Sequence, residues 1–401
     1  KKMDKSCKGQ SNVTLDVDSF GVVENPISKK LEEVTRYTWR NENNMSVQVI
    51  SYGATITSIT VPDKHGNIKD VVLGFDSMEG YLRSDNPYFG CAVGRVANRI
   101  AHGEFKLEDG KTYNVPKNWN NRHHLHGGYI GYNKFNWIPF VSGNVLKLTH
   151  IDEDRFQGYP GTVMTTVSVE LNNDNELSMI FTATTSKPTP INLTNHSYFN
   201  LAGHETGHEE IYRHVVSINA NSITETDEDS IPTGKLMNVT ETNYDLRIPR
   251  ELGPSMAKLP TKGFDDNFCI NTASKQQGMN FQSHVLHPNS GRYLEVYSDQ
   301  PGVQFYTANF MPDPNKNINP KEFNSMDYYV LADITKLEPV PSDNAEKPID
   351  GKSNAKYFKH GAFCLETQKY PDSVNHENFP NSILYPGEVY RHEVVYKFGI
   401  H

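Results

Sequence analysis

The stretch TVMTTVSVEL, Thr162 to Leu171, alternates cleanly between apolar and polar side chains. Side chains of an extended chain point to opposite faces in turn, so a period of two marks a strand with one buried face. Directly before it, Gly158-Tyr159-Pro160-Gly161 is a strong turn signal. Shortly after it, Leu177 to Thr184 (LSMIFTAT) is apolar and β-branched and reads as a second strand. Moving outward, the same texture recurs. Val145 to Thr149, Met45 to Ile50 (MSVQVI), Ile56 to Val61 and Val71 to Leu73 are short apolar or alternating runs, with Asp63 to Asn67 (DKHGN) as a hairpin-style turn. Toward the C-terminus Val215 to Ala220 alternates until Ile231 to Gly234 (IPTG) breaks the pattern. Ser290 to Tyr297 and Gly302 to Phe310 read as one hairpin joined through Asp299-Gln300-Pro301, and Asn381 to Phe398 as another. No long run of period 3.6 stands out. The fold class that follows is all-β, a large antiparallel β-sandwich with few short helices.

A chain of 401 residues can bury a sizeable core. It is expected to form a single domain over residues 13–401, after a flexible tail at 1–12. Pro312 to Lys359 differs in character: six prolines and many Asn, Asp and Lys surround one short apolar run, Tyr328 to Leu331. That segment reads as an inserted surface loop. The net charge of −9 is spread out, without the basic stripe that nucleic-acid binding needs. No apolar run approaches the roughly 18 residues of a membrane span. The 21 tyrosines, 19 phenylalanines, 28 glycines and 23 prolines suit strands and turns. Four cysteines, Cys7, Cys91, Cys269 and Cys364, stand far apart with no CxxC pair, which argues against a zinc ribbon and a disulfide framework. Asn-x-Ser/Thr sequons begin at Asn12, Asn44, Asn192, Asn195 and Asn238. A reduced, glycan-free, cytoplasmic location is the expectation.

The densest chemistry lies in Pro190 to Gly203, PINLTNHSYFNLAG. It sets His196 among Asn192, Asn195 and Asn200, whose amides would fix its tautomer or bind hydroxyls, and beside Tyr198 and Phe199. Imidazole takes both protonation states near neutral pH. In FGCAVGRVANRIAHGEF (Phe89 to Phe105) the glycines do not match a dinucleotide or phosphate-loop spacing. There Asn98 and Arg99, with Arg95 nearby, would offer donors to sugar oxygens or form surface salt bridges. HHLHGG, His123 to Gly128, raises a metal site through His124 and His126 at i and i+2. With no HExxH and no second ligand cluster, a catalytic or sugar-binding His126 before the flexible Gly127-Gly128 is preferred. Trp137 is expected to pack beneath that loop. GFDDNF (Gly263 to Phe268) carries Asp265 and Asp266, either solvated or hydroxyl-binding. In GVQFYTANF, Gln304 falls on the face opposite Val303 and Phe305. In GAFCLETQKYP, Glu366 falls opposite Phe363, Leu365 and Thr367, turned to solvent or into a polar cavity.

Taken together, GRVANRI, HLHGG, GYPG, NLTNHSYFNL, IPTG, GFDDNF, SGRYLEVY, PGVQFYTANF, GAFCLETQKYPD and NFPNSILYPGEVY resemble, in that order, the aldose 1-epimerase family, the galactose mutarotases. The resemblance spans about Gln48 to Phe398. It implies an antiparallel supersandwich with an open carbohydrate cleft and interconversion of the α and β anomers of free hexoses such as D-galactose and D-glucose. By the same resemblance Glu366 is the general base, His196 the general acid and His126 the second site histidine. Asn98, Arg99, Asp265 and Gln304 fall at sugar-binding positions. Two departures stand out. The family often has histidine where Asp266 stands, which bears on local charge and substrate preference, and Pro312 to Lys359 is longer than the corresponding segment. No cofactor and no metal is implied. The expected partner is a small hexose, with no nucleic acid and no membrane, and the chain is expected to be a monomer or weak dimer. Rival readings are a hexose-6-phosphate 1-epimerase, which needs extra basic residues for phosphate, and a non-catalytic sugar-binding protein, which needs no acid–base pair. A glycoside hydrolase would pair Asp265 with Glu366 and leave the histidines idle.

Overall fold

The computed structural model describes residues 13–272, 278–313 and 347–401. The tail expected at 1–12 and most of the loop expected at 312–359, including Tyr328 to Leu331, lie outside the described residues.

The alternating stretch forms the strand Val163–Leu171, third from one edge of a nine-stranded antiparallel sheet. Val163, Val167, Val169 and Leu171 are fully buried, and the intervening side chains face outward. It pairs with Val145–Asp152 on one side and Glu176–Thr185 on the other. Among the described residues two five-stranded antiparallel sheets accompany it. One runs in chain order from Thr14–Glu24 to Ile68–Asp70 and carries the hairpin turn at Asp63 to Asn67. The other orders its strands as Pro232–Asn238, Ala220–Thr226, Asp265–Ile270, Gly302–Tyr306 and Cys364–Gln368. One continuous core joins all three sheets: Trp39, Val47 and Ile59 of the N-terminal sheet, Leu146, Val167 and Phe181 of the nine-stranded one, and Phe268, Phe305 and Leu365 of the remaining one all belong to it. Trp137 is buried within it and donates its indole N–H to the Tyr132 carbonyl. The α-helices described are short, Met78–Tyr81, His208–Tyr212 and Leu252–Ala257. None is long and apolar enough to cross a membrane.

Both expected hairpins are corrected. Arg292–Ser298 pairs with Asn280–Leu286 and Tyr390–Ile400 in the nine-stranded sheet, whereas Gly302–Tyr306 pairs with Asp265–Ile270 and Cys364–Gln368 in the five-stranded one. The Asp299-Gln300-Pro301 link is therefore a crossover between layers. It is pinned there by Gln282 Nε2, which donates to the Gln300 carbonyl at 2.9 Å. The closing segment splits likewise: Ile383–Leu384 pairs with Thr189–Pro190, and Tyr390–Ile400 runs between Glu176–Thr185 and Arg292–Ser298. Turn residues announce a reversal; they do not say which layer the chain enters next. Val71 to Leu73 is extended but makes only a single bridge, Val72 to Phe199.

Cys91, Cys269 and Cys364 are free and buried. Asn192 and Asn195 are buried as well, with amides donating to the carbonyls of Lys369 and Gly90, so the folded chain cannot present these sequons.

Candidate active site

Sheet register builds the floor of the site. Gln304 lies opposite Asn267 on one side and Glu366 on the other, and Tyr306 lies opposite Asp265 and Cys364. With a period of two, Asp265, Gln304, Tyr306 and Glu366 emerge on one face while Val303, Phe305 and Leu365 enter the core from the other. That face is the floor of a cleft of about 460 Å³, walled by Asn98, Arg99, His126, His196, Tyr88 and Trp119. All seven residues expected at the site converge on it.

His196 is placed by a two-residue ribbon, Thr194–Asn195 against Ala92–Val93, and by its own N–H donating to the Cys91 carbonyl at 2.9 Å. The neighbouring amides act differently from expectation. Asn192, Asn195 and Asn200 bind the backbone at Lys369, Gly90 and Gly361, bracing the loop rather than touching the imidazole. His126 follows the ribbon His124–Leu125 with φ +49°, and Asn98 (φ +61°) and Tyr88 (φ +67°) share the left-handed region. Such backbone costs of order 1–3 kcal/mol per residue and is sustained by the surrounding packing. Gly127 serves a close approach rather than flexibility, because a Cβ there would sit 1.9 Å from the Gly94 carbonyl oxygen.

The two histidines differ in what they can do. The Asn98 backbone N–H donates to His126 Nδ1 at 3.1 Å, which makes Nδ1 an acceptor and leaves the proton on Nε2. Burial, then His196 and Arg99, holds the His126 pKa well below its ordinary value. His126 is thus a neutral hydrogen-bond donor. His196 has no such constraint: Nδ1 has no partner, and Nε2 faces Glu366 Oε1 at 3.6 Å. Burial lowers the His196 pKa to about 4. At Glu366, burial and the charge of Asp265 raise the carboxyl well above its ordinary range, and Arg99 works against them. With one proton between them, the pair would carry no net charge whichever member held it, and Glu366 Oε2 has no protein partner.

A hydrogen-bonded cluster of Asp265, Gln304 and Arg99 adjoins the pair. Asp265 accepts from Gln304 Nε2 at 2.8 Å and from Arg99 Nη2 at 3.3 Å. Arg99 also lies over the Trp119 ring at 4.8 Å. Asn98 Oδ1 accepts from the Arg99 backbone N–H at 2.9 Å, fixing the turn that aims the guanidinium.

Two sequence readings are corrected, those of Arg95 and Asp266, and the structure separates the members of the histidine run. Arg95 is a core residue, donating to Asp152 Oδ2 at 2.7 Å, the Pro160 carbonyl and Thr189. The histidine run diverges: His124 is held by the Pro116 carbonyl at 2.8 Å and the Tyr159 hydroxyl at 2.6 Å, so it shares no metal-binding face with His126. Among the described residues no group of three candidate ligands comes together. Asp266 stands opposite Phe305 in register, on the face away from the cleft, and accepts from the Asp265 N–H at 3.1 Å. Burial and Asp265 raise its pKa to about 7, and it touches no substrate surface. The aromatic walls Tyr88, Trp119, Tyr306 and Phe310 went unassigned from sequence. Only Tyr306 carried a signal, its even spacing from Gln304.

Comparison with known proteins converges with this geometry. A family profile described as Aldose 1-epimerase matches residues 35–397. A galactose mutarotase from Bos taurus is 43% identical over 358 residues, covering 89% of this chain and 92% of the relative. An aldose 1-epimerase from Escherichia coli (strain K12) is 31% identical, covering 90% and 94%. Among solved structures, an aldose epimerase homologue from C. elegans superposes with a TM-score of 0.75 at 25% identity, covering 90% of this chain and 97% of that one. A galactose 1-epimerase from Lactobacillus acidophilus NCFM gives 0.74 at 21% identity, covering 97% and 99%, and shares the fold.

Proposed function

The chain belongs to the aldose 1-epimerase family, and from that premise we propose that Glu366 and His196 exchange the anomers of a free hexose by opening and reclosing its ring. Anomer exchange requires removal of the C1 hydroxyl proton and protonation of the ring oxygen. Glu366 takes the first proton and His196 gives the second. The open-chain aldehyde turns about C1–C2, and the carbonyl presents its other face. Reclosure runs both transfers backward with the roles exchanged. Each positioned acid or base contributes roughly 10²- to 10⁴-fold.

The observation that carries this reading is the Glu366–His196 juxtaposition, 3.6 Å apart across a buried floor that also holds the Asp265–Arg99–Gln304 clamp. His126, with Nε2 protonated, donates to the same end of the sugar and helps hold developing charge at oxygen. The clamp retains the ring while C1 moves. D-galactose is the substrate suggested by the names of the relatives, with D-glucose second. Among the described residues lining the cleft, Arg99 is the one cationic side chain and is already engaged by Asp265, which favours a neutral sugar over a hexose 6-phosphate.

The same reading makes residues 13–401 one working domain, a monomer or weak dimer of the cytoplasm. The returning end of the 312–359 segment supports the single domain: Lys352 is buried against the N-terminal sheet, donating to Asp70 at 2.6 Å and the Thr57 carbonyl at 2.8 Å. Polarimetry of fresh α-D-galactose and α-D-glucose, with glucose 6-phosphate as competitor, tests the proposal. Accelerated decay of rotation that glucose 6-phosphate leaves untouched is expected. No acceleration at a concentration where sugar binds would point to a binding protein instead.

A further inference from the structure

The proposed reaction needs His196 as an imidazolium in a place that is hostile to charge. The ring is buried, its Nδ1 has no protein partner, and its one anionic neighbour, Glu366, is beyond hydrogen-bond reach of Nε2. His126 meets it edge-on at 5.3 Å but is locked neutral. The thiols of Cys91 and Cys364 nearby are pushed up by burial and stay uncharged. What does surround the imidazole is aromatic. Tyr198 lies 5.0 Å away at an interplanar angle of 14°, and Tyr88 lies 6.0 Å away at 18°, both near-parallel to it. Tyr306 approaches edge-on at 6.3 Å. The negative face of an aromatic ring attracts a cation out to about 6 Å from its centroid.

Resting on the acid–base reading above, we infer that Tyr88 and Tyr198 are positioning residues whose ring faces stabilise the transient imidazolium of His196. The backbone supports a dedicated role for Tyr88. It holds φ +67° without being glycine, and that conformation carries the ring over both His196 and His126, the latter at 4.8 Å. Tyr198 is locked from below, with Phe89 edge-on at 5.0 Å, so its face cannot swing away. The two rings also raise no competing acid, because burial keeps both hydroxyls protonated.

The test follows His196 itself. Titration of its imidazole by NMR, together with the pH profile of mutarotation, would be measured for the intact chain and for Tyr88→Phe, Tyr88→Leu and Tyr198→Phe. Loss of a ring face should lower the His196 pKa by about 0.4 to 1.5 units and kcat by about 2.5- to 30-fold. Tyr88→Leu shows that loss, and the Phe variants rescue it because they keep the face. Phenylalanine carrying one, two or three ring fluorines at position 88 preserves volume while draining the face, so the series decides the matter even if Tyr88→Leu fails to fold. A stepwise fall is expected. A flat fluorine series, or Leu and Phe variants that titrate alike, overturns the inference while leaving mutarotation by the intact chain untouched. An intact chain without mutarotation would instead sink the reading beneath it.

Discussion

Asp265→Asn separates positioning from proton transfer. The carboxylate accepts from Gln304 Nε2 at 2.8 Å and Arg99 Nη2 at 3.3 Å, and it is about one-fifth exposed. An amide in its place turns one acceptor into a donor, so it can satisfy Gln304 or Arg99 but not both. Hydrogen bonds to a charged group are worth about 1.5–3 kcal/mol. Losing one from the clamp should cut kcat/KM by roughly 10- to 150-fold, mainly through KM, since Asp265 takes no part in the proton transfers. A second effect has a definite sign. The charge of Asp265 raises the Glu366 carboxyl, and Arg99 lowers it. The neutral amide would remove the first influence and free Arg99 for the second, so Glu366 would ionise more easily and the acid limb of the rate profile would move to lower pH. Polarimetric initial rates across pH at several galactose concentrations read both quantities. A KM within twofold of the intact chain, with the acid limb in place, would refute the clamp.

Two further predictions concern the scaffold. Arg95→Met strands Asp152, 4% exposed by side chain, without its partner; breaking such a buried pair costs about 3–5 kcal/mol in denaturant unfolding. Arg95→Met with Asp152→Leu should recover most of that loss. Acid lability should begin early. Burial lowers His124, His196 and His392 to about 4 and His150 and His214 to about 3, so between these values and about 6.5 the unfolded chain binds the extra protons. Their stabilisation is complete above about pH 6.5 and is lost as pH falls. Asp266, raised to about 7, and Glu366 act oppositely, being protonated in the folded state. The depressed imidazoles, which also include His126 and His360, outnumber the two carboxyls, so the unfolded chain takes up net protons around pH 5 and the unfolding free energy falls as pH drops from 7 to 5. Unfolding free energies that stay flat from pH 7 to 5 would contradict this.

The strands and the face of each site residue were legible because both depend on a period of two. Gln304 and Glu366 could be placed opposite their apolar neighbours before any sheet was assembled, and the register then put them side by side. Layer assignment was not legible, since a crossover such as Asp299 to Pro301 and a hairpin use the same turn residues. The roles of the histidines were only half legible. His123, His124 and His126 look alike in a string, and only long-range partners separate them: Asp229 for the first, Pro116 and Tyr159 for the second, Asn98 for the third. Asp266 shows the limit most clearly. Its neighbour Asp265 lines the cleft, and a single step along the strand carries Asp266 to the far side.

The central claim is that Glu366 and His196 act as one proton-exchanging pair. The most direct test is polarimetry of fresh α-D-galactose with the intact chain and with Glu366→Gln, which keeps the shape of the side chain and removes the base. The account predicts rapid decay of rotation with the intact chain and a loss of at least roughly 10²-fold in kcat with the variant, with sugar still bound. Mutarotation by Glu366→Gln at the rate of the intact chain would contradict it.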